Sequence, residues 1–182
     1  NSGVYGFGVT CFTLSMLEWA TMLCGADLPP AVVRDILGLG KAMLDHPVEL
    51  LPGVVETLQA LRDHYTLLVV TKGDLFDQER KLVQSGLAEY FDHVEIVSDK
   101  TPDVYRRVFD RQGQGPTRGM MIGNSLKSDV LPALEAGCWA VHVPHELTWA
   151  LEHADEPAGH ARYRSVSDLS VIPALIAELQ PD

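Results

Sequence analysis

The chain has 182 residues, 46% hydrophobic and 21% charged, with a formal net charge of −11. That balance fits a globular protein of one domain, or of one domain with a small insert, and excludes a disordered chain. The acidic surplus argues against a nucleic-acid partner, because phosphate backbones are held by clustered Lys and Arg. It does not exclude a small anionic substrate in a local cationic pocket.

No uninterrupted apolar run reaches the ~18 residues of a bilayer span, and no charged-then-apolar leader is visible. No membrane partner and a cytoplasmic location are therefore expected. Cys11, Cys24 and Cys138 are too few and too scattered for a disulfide framework or a zinc site, and read as reduced, mostly buried thiols.

The first fifty residues read as helical. Thr10–Leu23 carries apolar residues at roughly helical spacing. Pro29 and Pro30 then suit the first turn of a second helix, which ends at His46-Pro47. Phe12, Met16 and Met22 read as helical core, with selection of substrate as the sharper alternative. After "ELLPG" the pattern changes. Gly53–His64 is an amphipathic helix, and Tyr65–Val70 ("YTLLVV") is an apolar strand. Asp74–Ser85 is a helix stopped by Gly86, and His93–Val97 is a second strand. Thr101–Arg111 is a helix with Pro102 in its first turn. Gly119–Ile122 is a third strand, Leu126–Ala136 a helix stopped by Gly137, and Cys138–Val143 a fourth strand. Tyr163–Val166 is a short fifth strand, and Ser167–Leu179 a final helix with Ser167 as its N-cap.

Short apolar strands alternating with helices predict an α/β protein with a Rossmann-like parallel sheet covered on both faces. Residues 1–48 form a small helical cap region and 49–182 the α/β core. Ligands of such sheets bind at the carboxyl ends of the strands. The residues there are Thr71-Lys72-Gly73-Asp74, Ser98-Asp99-Lys100, Gly123-Asn124-Ser125 with Asp129 following, and Pro144-His145-Glu146.

Taken together these suit an anion site with a metal. Thr71 offers a hydroxyl, and Lys72 and Gly73 offer backbone N–H groups at a helix start. Lys100 adds a fixed positive charge able to offset a phosphoryl group. Asn124 and Asp129 offer oxygen ligands of the kind Mg2+ takes. Lys72, Gly73 and Ser125 are the candidate substrate contacts. Each residue alone has a plainer reading: a cap, a solvated charge or a salt bridge. His142, His145 and Glu146 are near in sequence but are not expected to converge on a metal. Trp149 reads as packing before it reads as the lining of an entrance.

At this point the order of residues resembles the haloacid dehalogenase superfamily. "VVTKGD", the Lys100 of "VSDK", and "IGNSLKSDV" resemble its second, third and fourth motifs. The helical start followed by "LLPGVVETLQALR" is similar to the cap of its first subfamily and the return into the core. The match runs in detail from about Leu50 to Pro144. The resemblance implies a Mg2+-dependent phosphatase acting on a small phosphorylated metabolite through an aspartyl-phosphate intermediate, as a monomer or homodimer. It assigns the phosphoryl hydrogen bond to Thr71, orientation of the nucleophile to Lys100, and the metal to Asn124 and Asp129, directly or through water.

Two departures stand out. The family's Asp-x-Asp nucleophile motif, on a strand central in the sheet, has no counterpart here. A sheet without that strand would leave backbone groups unpaired, so a further N-terminal segment is expected. In addition, Asn124 stands where a metal-binding Asp is usual, which implies weaker metal binding or a ligand role passed to Asp129. Two other functions stay open: a 2-haloacid dehalogenase, which needs no metal, and a binding protein that kept the fold without the nucleophile.

Overall fold

A computed structural model describes residues 8–146 and 152–179. They form two compact units. One takes in the chain up to Glu49 together with Val70–Ala88 and Ile96–Ser98. The other takes in Leu50–Val69, Glu89–Glu95 and the chain from Asp99 on. The change of unit at Glu49 adjoins the expected end of the cap region, but 70–88 and 96–98 join the first unit as well.

In the first unit α1 (Val9–Cys24) packs against α2 (Pro30–Asp45). Pro30 opens α2, where its missing N–H costs nothing. His46 ends it in an extended conformation, as a residue before proline favours. The helices come close at Gly40, where an added Cβ would lie 2.5 Å from Thr13 Oγ1. Thr13 satisfies its own buried hydroxyl by donating to the Val9 carbonyl at 2.8 Å. Only Val9 and Thr13 of α1 are buried. Phe12 and Met22, expected in a helical core, are exposed with Trp19 and Leu23. One partner helix covers one stripe, and these residues lie off it. The stretch Val9–Asp27 is, by length and composition alone, apolar enough to cross a membrane. That corrects the expectation of no such stretch, which an uninterrupted apolar run could not reveal because Glu18 breaks the run. Among the cysteines only Cys138 is buried, while Cys24 is exposed and Cys11 intermediate, and all three are free thiols.

Strands β1 (Leu68–Lys72) and β2 (His93–Val97) form a two-stranded sheet. β1 starts later than expected. His64 and Tyr65 still close the end of helix α3 (Val54–Leu61), both donating to the Leu61 carbonyl at 3.0 Å. Thr71 and Lys72 are therefore the last strand residues rather than the first loop residues. Helix α4 (Leu75–Gln84) follows, N-capped by Asp74, which accepts from the Asp77 N–H at 3.2 Å.

The second unit holds a three-stranded parallel sheet in the order β3 (Met120–Gly123), β4 (Trp139–His142), β5 (Tyr163–Ser165). Met120 registers with Trp139, Gly123 with His142 and Ala140 with Tyr163. Central β4 is buried on both faces over most of its length, in keeping with its mostly apolar sequence. Helices α5 (Pro102–Gln112), α6 (Leu131–Ala136) and α7 (Ile172–Leu179) complete the unit. Its core joins Leu61, Val141, Val143 and Ile172, with Ile122 and Ile176 packed against them. Each such aliphatic side chain contributes about 1.5–3 kcal/mol on burial. Helix α7 is entered through a short tight turn, Leu169–Val171. Its cap is Asp168, which accepts from the Ser170 N–H at 2.9 Å, not Ser167 as expected. The Ser167 hydroxyl instead donates to that same carboxylate at 3.1 Å.

Candidate active site

The acidic loop begins where β3 ends. Ser125 accepts from the Ser128 N–H at 2.9 Å and so caps the turn that follows. That turn, Leu126–Val130, is π-helical. The Ser125 carbonyl accepts from Asp129 N–H at 2.9 Å and from Val130 N–H at 3.1 Å. Single π turns are rare and concentrate at functional sites. Pro132 supplies a local reason for irregularity. Proline has no N–H, so the Ser128 carbonyl lacks its ordinary helical donor. The buried Tyr105 of α5 takes that place, donating its hydroxyl to Ser128 O at 3.1 Å. Burial, with the nearby Asp129 charge adding to it, pushes the Tyr105 phenol far above its ordinary range, so it stays a donor.

Asp129 is the electrostatic centre of this loop. Its Oδ1 lies 2.6 Å from Lys100 Nζ, with the two side chains 6% and 11% exposed. Its Oδ2 accepts from the Ser125 N–H at 3.0 Å. Gly123 makes room for this fold-back: a Cβ there would lie 2.3 Å from Asp129 Oδ2. A buried carboxylate with a lysine partner and a backbone donor meets the requirements for holding charge out of water. The structure thus joins Lys100, Ser125 and Asp129 in one unit.

Asn124 is exposed at the β3 edge. Its carbonyl lies 3.2 Å from His142 Nε2. A carbonyl only accepts, so this contact is a hydrogen bond in the tautomer that carries its proton on Nε2. Glu156 Oε1 lies 3.9 Å from the other ring nitrogen. A further group comes from far along the chain. The Oε2 of Glu152 accepts from Ser125 Oγ at 2.5 Å and also from Ser128 Oγ. Ser125, expected at the substrate, has its hydroxyl engaged in these local bonds here.

Thr71, Lys72 and Gly73 belong to the first unit. Thr71 Oγ1 donates to Gln78 Oε1 of α4 at 2.7 Å. Gly73 has φ 144°, a conformation suited to glycine, and a Cβ there would sit 3.1 Å from the Gln78 amide. The Gly73 N–H, expected to cradle an anion, donates to the Val97 carbonyl at 3.4 Å. Trp149 lies outside the described residues.

Among the described residues no group of three or more His, Cys, Asp or Glu is placed to hold a metal. The oxygen donors fit Mg2+ only as an ion that keeps most of its waters. Asn124 is exposed and neutral, while the Asp129 carboxylate is already shared between Lys100 and Ser125.

Ser128, Tyr105, Glu152 and Gln78 were not legible as site-supporting residues. Tyr105 had the clearest available signal, since Pro132 announces a carbonyl in need of a donor. Glu152 had none, because nothing local ties it to Ser125.

Comparison with known proteins identifies the family. The model of the haloacid dehalogenase-like hydrolase family matches residues 16–137. The chain is 29% identical to a pyrimidine 5'-nucleotidase of Escherichia coli, over 77% of this chain and 64% of that protein. It is 35% identical to a glyceraldehyde 3-phosphate phosphatase of Methanothermobacter thermautotrophicus, over 54% of this chain and 46% of that protein. The chain thus spans about half to two thirds of the length of these relatives. A haloacid dehalogenase-like family hydrolase from Xanthomonas campestris superposes with a TM-score of 0.85 at 40% identity, covering 96% of this chain and 74% of that one. With the acidic loop, its lysine and the strand-end threonine in family order, the chain belongs to the haloacid dehalogenase-like hydrolases.

Proposed function

We propose that the protein hydrolyses phosphate monoesters of small metabolites. The observation that carries this reading is the buried Lys100–Asp129 pair at 2.6 Å, at the end of β3. A fixed ammonium held there by a carboxylate suits stabilisation of a phosphoryl group. The relatives named as a nucleotidase and a phosphatase support the same chemistry.

In this reading an aspartate carboxylate attacks phosphorus, forming an O–P bond while the ester P–O bond breaks and the leaving alcohol takes a proton. Water then attacks the aspartyl-phosphate and releases phosphate. Thr71 donates its hydroxyl to the phosphoryl group in place of Gln78, and Lys100 offsets the phosphoryl charge and orients the nucleophile. The Lys72 backbone borders the phosphate, while the Gly73 N–H and both Ser125 donors are committed to Val97, Asp129 and Glu152. Asn124, directly, and Asp129, through water, hold Mg2+, which when bound neutralises phosphoryl charge. No Asp-x-Asp occurs among the 182 residues, and the reading assigns the nucleophile to none of the residues named here.

The test uses the full-length protein. Phosphate release is followed on nucleoside monophosphates, sugar phosphates and glyceraldehyde 3-phosphate, with and without Mg2+. Halide release from 2-chloropropionate serves as the competing assay, because the neutral Asn124 and the lysine-paired Asp129 offer a metal less charge and dehalogenation needs no metal. Phosphate release that depends on Mg2+ and falls in Lys100→Ala supports the phosphatase. Halide release without phosphate release overturns it.

A further inference from the structure

We infer that Glu152, in the chain that follows β4, is a positioning residue for the acidic loop. One oxygen, Oε2, takes the hydroxyl protons of both Ser125 and Ser128. These two serines are 5% and 6% exposed; Ser125 caps the π-helical turn that carries Asp129, and Ser128 lies within it. Ser125 is the hinge of the arrangement. Its N–H goes to Asp129, its hydroxyl oxygen caps Ser128, and its hydroxyl proton goes to Glu152. With its proton committed to Glu152, the Ser125 oxygen presents its lone pairs to the Ser128 N–H. Glu152 therefore sets the direction of the cap as well as tying the turn to the distal loop. Hydrogen bonds to a carboxylate are shorter and stronger than neutral ones. None of the three motif segments contains this residue.

The carboxylate also places negative charge next to the loop in which a neutral Asn124 stands. Lys100 already neutralises Asp129, so Glu152 is the second carboxylate at this loop. The kinetic part of the inference rests on the phosphatase reading above, and the structural part does not.

The test compares Glu152→Ala and Glu152→Gln in the full-length protein. Hydrogen exchange is read without substrate or metal on peptides covering 120–131, with α5 as an internal control for folding. In Glu152→Ala the loop amides are expected to exchange about tenfold faster or more, with α5 unchanged. Glu152→Gln keeps an oxygen able to accept both hydroxyls, and is expected to recover most of that protection. In turnover of a phosphate monoester, Glu152→Ala is expected to lower kcat about tenfold or more while KM moves less than about threefold, and Glu152→Gln is expected to recover most of the loss. Unchanged loop exchange in Glu152→Ala overturns the inference, as does a Gln variant as deprotected as the Ala variant, or a loss that falls on KM. If the wild type turns over no phosphate monoester, the phosphatase reading fails while the exchange comparison still decides the role of Glu152.

Discussion

Replacing Lys100 by Met removes one charge and keeps most of the apolar stem, so it isolates the ion pair. Two unit charges at the observed 2.6 Å attract by about 6 kcal/mol at an effective dielectric of ~20. Much of that attraction is spent on taking both groups out of water, and the pair as a whole is worth far less. Cutting one partner is different. The 6%-exposed Asp129 side chain would stay behind with its desolvation uncompensated, and such losses run to about 3–5 kcal/mol. In a chain of 182 residues each kcal/mol shifts the melting midpoint by about 2–4 °C, so Lys100→Met is expected to melt about 10 °C lower.

The paired variant Lys100→Met/Asp129→Asn sharpens the test. Its side-chain amide would be neutral and could still accept the Ser125 N–H, so no buried charge remains. The double variant is expected to lie within about 1–2 kcal/mol of the wild type despite carrying one more substitution. Urea denaturation of the two variants and the wild type gives the comparison. A single variant within about 1 kcal/mol of wild type would refute the reasoning, since that is the behaviour of an exposed pair. So would a double variant no more stable than the single one.

Gly123→Ala places a Cβ 2.3 Å from Asp129 Oδ2, so the carboxylate must leave Lys100. A loss of about 1–3 kcal/mol or more is expected in denaturant titration, and wild-type stability would show that the loop is looser than described. Tyr105→Phe strips the donor from the Ser128 carbonyl, and Pro132 offers no replacement. It should cost about 1–3 kcal/mol by the same assay. Burial pushes the Cys138 thiol up to about 11, against the opposing charges of Arg162 and Arg106. At about pH 8 an alkylating reagent should therefore modify exposed Cys24 first and Cys138 only on unfolding, as read by peptide mass. Burial alone would raise the Glu95 carboxyl, but hydrogen bonds from Arg111 and Gln112 and the Arg111 charge together hold it below 4.5. Its contribution is thus fully present above about pH 4.5 and is lost as pH falls through the lower folded value. Glu95→Gln should flatten the acid limb of the stability–pH curve.

The sequence was most legible where the physics is local. The β4 run, the Pro102 start of α5 and the Gly137 stop after α6 depend on residues within one turn of each other, and each element lies where its pattern puts it. Boundaries failed where a neighbour intervened. The start of β1 moved because His64 and Tyr65 close on Leu61. The cap of α7 moved from Ser167 to Asp168, whose carboxylate takes both the Ser170 N–H and the Ser167 hydroxyl. The apolar residues of α1 misled for a different reason. Periodicity says which residues could be buried together, but the amount buried depends on how many partners a helix has. Here, among the described residues, α2 packs against α1, and only Val9 and Thr13 of α1 are buried.

The acidic loop shows the same division within ten residues. Gly123, Ser125 and Asp129 were readable because a glycine, a cap and a carboxylate follow one another on a strand end. The residues that hold them in place are not local. Lys100 is 29 positions from Asp129, Tyr105 is 23 from Ser128, and Glu152 is 27 from Ser125. Each was recruited by a defect that the local sequence creates. Asp129 is a buried charge and requires a cation. The Ser128 carbonyl is orphaned by Pro132 and requires a donor. The two serine hydroxyls are buried and require an acceptor. A sequence reading can therefore list the needs of such a loop before it can name all that meets them: Lys100 stood out at a strand end, but Tyr105 and Glu152 did not. For this loop the needs number three, and three distant side chains supply them. Holding the turn from three sides over-determines it, which is how an uncommon backbone conformation persists at a site where position matters more than local stability.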